Sequence, residues 1–239
     1  EASSYEAELG KLRDTSPEAA ELMLKLADLY HTHGRVFGLL RVGQKFVAAH
    51  ITHPKHRDVM LKLLDGLLAS ARNKEVVATC RQFLQRYPED KACPDVELKL
   101  AQTFEQLDDY AGTAESYAAV YKRQPTTVLG RQSGVRSVQY YFSVNTAEAF
   151  KQAAPLSESL ATRFKNPEAI TSCFMQSILA WERAGEWAKA NLTAGRLLQQ
   201  GLPADPKAQQ ELHRRVAENF SRLGQHANAV ESLKKARAF

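Results

Sequence analysis

The sequence predicts an all-α fold, an array of about six antiparallel helical hairpins, on three observations. Strong helix formers (Ala, Leu, Glu, Lys, Gln, Arg) run through nearly the whole length, apolar positions recur at three and four residues, and short polar breaks return at a near-constant interval. The breaks fall at Gly34, Asn73, Asp108, Asn145, Gly185 and Gly224, separated by 39, 35, 37, 40 and 39 residues. A period of about 38 residues holds two helices of about four turns each and two tight turns. Strands have little support.

Taken in order, residues 1–16, with a helix from Tyr5 to Leu12, form either the second helix of a preceding unit or a cap. The first hairpin, 18–53, opens with Ser16-Pro17-Glu18: a capping hydroxyl, a proline in the first turn and an acid beside the positive end of the helix dipole. Its apolar stripe is Leu22, Leu26, Leu29 and Tyr30. The second, 55–88, turns at Asn73 and stops at Pro88. The third, 94–125, reuses the start chemistry in Cys93-Pro94-Asp95 and carries Leu98, Ala101 and Phe104 at helical spacing. The fourth, 126–165, is irregular, with Gly130, Gly134 and the tract Tyr140-Tyr141-Phe142. The fifth, 167–202, opens at Asn166-Pro167-Glu168, and the sixth, 206–239, at Pro206. Prolines are expected at segment edges, because inside a helix they remove a hydrogen bond and clash with the preceding turn. An alanine follows most breaks where two helices must approach closely: Ala78, Ala114, Ala149, Ala190 and Ala229, with Leu39 in the first hairpin. Because Phe239 falls within the last helix and no polar capping helix follows it, the chain is expected to be a segment of a longer array.

The last hairpin places small Ala217, aromatic Phe220, turn Gly224 and alanines Ala229 and Ala236 in an order that resembles the tetratricopeptide repeat. The third resembles it through Ala101, Phe104, Asp109-Tyr110, Tyr117 and Pro125, the fifth through Trp181, Gly185, Trp187, Ala190 and Leu197, and the first through Ala27, Tyr30 and Gly34. The resemblance covers most of the chain and implies a right-handed α-solenoid whose first helices line a concave, partner-binding surface.

Composition is that of a soluble folded protein: 239 residues, 44% apolar, 8% aromatic and 25% charged. No apolar run approaches the roughly 18 residues of a membrane helix, so membrane insertion is not expected. The net charge of +5 is mild, but two tracts are locally basic. One carries Arg35, Arg41, Lys45, Lys55 and Arg57 between Asp28 and Asp58; the other carries Lys122, Arg123, Arg131 and Arg136 between Glu115 and Glu148. They are expected to balance acids elsewhere in the fold, an anionic partner being the alternative. Cys80, Cys93 and Cys173 are too far apart for a metal or redox motif and are expected to pack as small hydrophobes.

No phosphate-binding, dinucleotide, zinc-protease or nucleophile-elbow motif occurs, so no catalytic residue and no cofactor is expected. His50, His53 and His56 share a three-residue spacing, but Pro54 interrupts them and no carboxylate or cysteine joins them; a polar loop is expected, not a metal site. Trp181 and Trp187 are expected in the hairpin interior. Three consecutive aromatics cannot all face one core, so at least one of Tyr140–Phe142 is expected on a surface or against a neighbouring repeat; inter-repeat packing is the expectation, and a local binding patch with Arg131 and Arg136 is the alternative. On the first-helix face the resemblance points to Asp28 and His31, Gln102 and Glu105, Arg131 and Tyr141, Glu182, and Arg214, Glu218 and Arg222 as partner-binding residues, with Glu21, Leu24, Asp95, Leu98, Val138, Met175 and Leu179 beside them. Family members that clamp a carboxylate terminus use a lysine and an asparagine one turn apart. Here Leu98/Gln102, Met175/Leu179 and Arg214/Glu218 stand in those places. The face mixes acids and bases, which predicts a non-catalytic scaffold for a protein or peptide partner; the alternative is a helical-repeat RNA-binding module, motivated by the isoelectric point near 9.1.

Overall fold

A computed structural model describes residues 1–238, which form thirteen α-helices and no strand. Phe239 lies outside the described residues. Cα packing divides the chain into two compact units, Glu1–Leu107 and Asp108–Phe239. The first contains α1 (Ala2–Leu9), α2 (Pro17–Thr32), α3 (Val36–Ala49), α4 (His56–Ala69), α5 (Asn73–Arg86) and α6 (Cys93–Gln106). The second contains α7 (Tyr110–Arg123), α8 (Val128–Val144), α9 (Ala147–Ala161), α10 (Pro167–Arg183), α11 (Trp187–Gln199), α12 (Pro206–Arg222) and α13 (His226–Ala236). In both units each helix packs on its chain neighbours, the pattern of successive helical hairpins.

Local sequence explains the helix starts. Ser16, Asn166 and Asp205 accept a hydrogen bond from a backbone N–H of the first turn at 2.8–3.1 Å, each followed by a proline that has no N–H to satisfy. Thr127 and Thr146 cap α8 and α9 in the same way. The start at Cys93-Pro94 departs from this scheme. Its cap is Ala92, which has no acceptor side chain, and Asp90 instead accepts from the Ala92 N–H at 2.8 Å.

The turns sit where a left-handed residue reverses the chain: Gly34 (φ +64°), Ala71 (+53°), Asp108 (+55°), Asn145 (+54°), Gly185 (+77°) and Gly224 (+71°). The second break is therefore Ala71, and Asn73 already begins α5. With the register moved by two, Gly34, Ala71, Asp108 and Asn145 are spaced at equal intervals of 37. The close-packed residue of α5 moves likewise: Val76 is fully buried, whereas Ala78 faces solvent. At the other hairpins Leu39, Ala114, Ala149, Ala190 and Ala229 are buried where expected.

The fourth hairpin, irregular in sequence, is regular in structure, and its glycines are the reason. A Cβ on Gly134 would lie 2.8 Å from Leu160 Cδ2 and 3.0 Å from the Tyr121 ring, and one on Gly130 would lie 1.8 Å from the Gln124 carbonyl oxygen. The glycines admit neighbours to the helix surface. Pro155 also departs from expectation, since α9 runs through it. Ala153 and Ala154 before it and Leu160 after it are buried, and that packing holds the helix across the missing N–H.

Each unit has its own apolar core: Met23, Leu26, Phe46, Met60, Leu64 and Phe83 in the first, Leu160, Ile178, Leu197 and Leu212 in the second. All three cysteines are buried, and burial pushes the Cys80 and Cys173 thiols up to about 12 and about 11, so both stay protonated.

Candidate functional site

The first unit presents α2, α4 and α6, the first helices of successive hairpins, as neighbours. With the corrected 37-residue register, equivalent positions fall into rows. One row is Glu21, Asp58 and Asp95; the next is Leu24, Leu61 and Leu98, all half-buried; then come Lys25, Lys62 and Lys99; then Asp28, Asp65 and Gln102; and last His31, Leu68 and Glu105. Within each helix positions 21, 24, 28 and 31 and their equivalents lie three or four residues apart, with the lysine next to the leucine, so together they form one broad face.

Ion pairs stitch the rows across the hairpins. Lys62 pairs with Asp28 of the preceding helix, and Lys99 repeats the contact on Asp65 at 2.7 Å. Asp65 also faces His31 Nε2 at 3.4 Å. Lys25 has no earlier aspartate to meet and lies instead over the Tyr5 ring of α1, 5.7 Å from its centroid. Beside His31 and Asp65 a pocket of about 170 Å³, lined by Tyr30, Leu39, Gly66 and Ala69 among others, opens between α2 and α4.

Asp28, His31 and Gln102 are exposed and Glu105 is half-buried on this face. Lys62, Asp65 and Lys99 were missed. The signal that finds them is the pairing of opposite charges 34 residues apart, which the misplaced turn at Asn73 hid by shifting α4 out of register.

In the second unit the predicted residues divide. Glu182, with only 11% of its side chain exposed, accepts from Arg215 Nε at 2.8 Å and from Asn219 Nδ2 at 2.8 Å, so it ties α10 to α12. Arg214, Glu218 and Arg222 are exposed; Arg214 faces Glu211 at 3.7 Å, and the Arg222 guanidinium lies 4.6 Å from the Trp187 ring centroid.

At Tyr140–Phe142 the structure shows packing, not the alternative of a surface patch. Tyr141 and Val138 are buried, Tyr140 stacks on Tyr117 with ring centroids 6.2 Å apart, and Phe142 meets Phe150 edge-on at 5.3 Å. The arginines there are held too: Arg136 donates to the Tyr117 hydroxyl at 2.6 Å, and Arg131 to the Thr126 carbonyl at the start of its own helix. Three aromatics in a row are accommodated because three different neighbours, not one core, receive them. Trp181 and Trp187 are half-buried, not fully interior, each with a cation above its ring.

His56 corrects the expectation of a polar histidine loop. It is fully buried; its Nε2–H donates to the Val47 carbonyl at 3.2 Å and its Nδ1 accepts from the Tyr87 hydroxyl at 2.8 Å. Burial lowers its pKa, so the imidazole is neutral. Among the described residues no group of three His, Cys, Asp or Glu side chains is placed to hold a metal ion.

Four of the five cations of the first basic tract meet acids in their unit: Arg41 pairs with Glu6, Lys45 with Asp14 at 3.1 Å, Lys55 with Asp58 at 3.6 Å, and Arg57 with Asp90 at 2.6 Å. No described helix is long and apolar enough to cross a membrane.

No family model matches the chain. No curated protein matches it either. Among solved structures, a tetratricopeptide repeat protein from Parabacteroides merdae is similar at 11% identity and TM-score 0.46, covering 99% of this chain and 84% of that one. The apo form of RapI is similar at 12% identity and TM-score 0.44, covering 99% and 90%, and MamA 41-end from Desulfovibrio magneticus at 15% and 0.38, covering 76% and 93%.

Proposed function

We propose that the chain is a non-catalytic scaffold that holds a partner polypeptide on the face of α2, α4 and α6. The observation that carries this reading is the row of half-buried leucines, Leu24, Leu61 and Leu98, repeated at one position of three neighbouring helices and flanked by charged rows. An apolar row that is partly open to solvent favours burial against another apolar surface, and fixed charges on both sides set the register of what lies there. The RNA-binding alternative is disfavoured by the same geometry, because two of the three lysines of the face already pair with aspartates and four of the five cations of the first basic tract meet acids.

A pull-down from source lysate with the intact chain and with Leu61→Lys, each with and without nuclease, tests the reading. A nuclease-resistant protein recovered by the intact chain, and lost in the variant at unchanged melting temperature, is the expected result. Recovery that depends on nucleic acid contradicts it.

A further inference from the structure

Three histidines gather where the first hairpin hands over to the second. His50 caps the end of α3, His53 lies in the connector, and His56 is the first residue of α4. The connector itself is thinly held. The Phe46 ring meets His50 and His53 at centroid distances of 5.1 and 5.3 Å, and Arg86 of α5 donates to the Ile51 carbonyl at 2.6 Å. Ile51, Thr52, Pro54 and Lys55 are exposed, and His50 Nε2 is buried with no hydrogen-bond partner.

His56 is the firm point. Fully buried, it joins three helices: Nε2 meets the Val47 carbonyl of α3, Nδ1 meets the Tyr87 hydroxyl at the end of α5, and the ring belongs to α4. A second proton on the ring would place a full charge in this buried site, where it is costly without a partner of opposite sign. The ionised group that acts on the imidazole is a like charge, the Arg86 guanidinium of α5. Of the acids beside it in the chain, Asp58 of α4 and Asp90 after α5 are taken up by Arg57 at 2.9 and 2.6 Å, and from α6 the Cys93 thiol donates to the Tyr87 carbonyl at 3.0 Å. Burial pushes the His56 pKa below the ordinary 6.5; the Val47 carbonyl opposes that shift and Arg86 adds to it. In an opened connector the imidazole returns to water and to its ordinary value, so closure is favoured in full above about pH 6.5 and progressively less as pH falls below it.

We infer that the α3–α4 connector is an acid-released latch: His56 fastens α3, α4 and α5 together at neutral pH, and its protonation frees residues 50–56 while the helices on either side stay folded. Release stays local because His56 stands at the very start of α4. Arg57, the next residue, keeps its grip on Asp90, whose carboxyl is held down at about 2 and so stays charged where His56 titrates. The latch is independent of the scaffold function proposed above, although α4 also carries Leu61, Lys62 and Asp65 of that face.

Amide hydrogen exchange of the intact chain, followed by mass spectrometry at pH 7.5 and 5.5 and corrected for the intrinsic pH dependence of exchange, tests the latch. The expected result is exchange about fivefold faster at pH 5.5 over residues 50–56, with the α2 amides of the same unit changed by less than about twofold. His56→Gln, which keeps an amide in place of the ring but does not titrate, should flatten the response. His50→Gln with His53→Gln should leave it intact, which assigns the response to His56 even if His56→Gln fails to fold. Exchange over 50–56 that is unchanged between the two pH values overturns the latch. Acceleration shared by α2 overturns it too, since the whole unit is then unfolding, and so does a response lost in the His50/His53 double variant.

Discussion

Lys99 Nζ lies 2.7 Å from Asp65 Oδ1, across the groove between two helices whose pairing residues are 34 positions apart in the chain. The same lysine-to-aspartate step joins Lys62 to Asp28 one hairpin earlier. Repetition of one contact at one register is how a chain of similar hairpins keeps its first helices aligned.

That contact makes a small, salt-sensitive contribution. With 33% of Lys99 and 47% of Asp65 exposed, a double-mutant cycle of Lys99→Met and Asp65→Asn should give a coupling of about 0.5 kcal/mol in thermal or urea unfolding, shrinking toward zero near 1 M salt. A coupling that is unaffected by salt would mean that the pair is not held as described.

Ala71 occupies a left-handed turn that glycine occupies at three other hairpins, and its side chain is exposed. An L-residue there costs about 1–2 kcal/mol, partly offset by the greater chain entropy of glycine in the unfolded state. Ala71→Gly should therefore stabilise the first unit by about 0.5–1 kcal/mol in urea unfolding. Destabilisation would contradict the assigned turn.

Arg57 grips Asp90 through two nitrogens, Nε at 2.6 Å and Nη2 at 2.8 Å, and these hydrogen bonds hold the Asp90 carboxyl down at about 2 against an ordinary 3.8. A carboxylate with a lowered folded-state pKa contributes stability that is present above the ordinary value and is lost as pH falls toward the folded one. The window is pH 4 to 2. Asp90→Asn should cost about 1–2 kcal/mol at neutral pH and flatten the acid limb of a melting-temperature profile across that window. A profile as steep as that of the unaltered chain would place the acid sensitivity elsewhere.

Glu158 joins three helices of the second unit. Its Oε1 accepts from Thr193 Oγ1 at 2.6 Å, Ser177 Oγ at 3.1 Å and Trp181 Nε1 at 3.4 Å, and its Oε2 from Arg196 at 2.6 Å. Glu158→Ala leaves the buried Ser177 and Thr193 hydroxyls without this acceptor and should cost about 2–4 kcal/mol, with a change in Trp181 emission. Glu158→Gln, which keeps an acceptor oxygen, should cost less.

Most of the helical architecture was legible because it depends on local chemistry. Ser16-Pro17 and Asn166-Pro167 announce helix starts, and Gly34, Gly185 and Gly224 announce turns, through the backbone alone. Ala71 was invisible for the complementary reason: alanine has no turn propensity, and only the packing of α5 back on α4 calls for a left-handed residue there. Pro155 reads as a helix end until the buried alanines around it are counted. The site was half legible. Asp28 and His31 of the candidate face follow from the family resemblance, whereas Lys62, Asp65 and Lys99 depend on register across hairpins, which an error of two residues destroys. Tyr141 shows the opposite failure, since a polar-tipped aromatic on a helix can be surface or core and only its neighbours decide.

The central claim is that a partner polypeptide lies on the α2–α4–α6 face. Photo-crosslinking in source lysate tests it most directly, with benzoylphenylalanine placed at His31 or Gln102 on that face, or at exposed Gln82 on α5 as the control. The account predicts one nuclease-resistant protein adduct shared by the His31 and Gln102 positions and missing from the Gln82 position. An adduct formed equally well from Gln82, or one removed by nuclease, would contradict it.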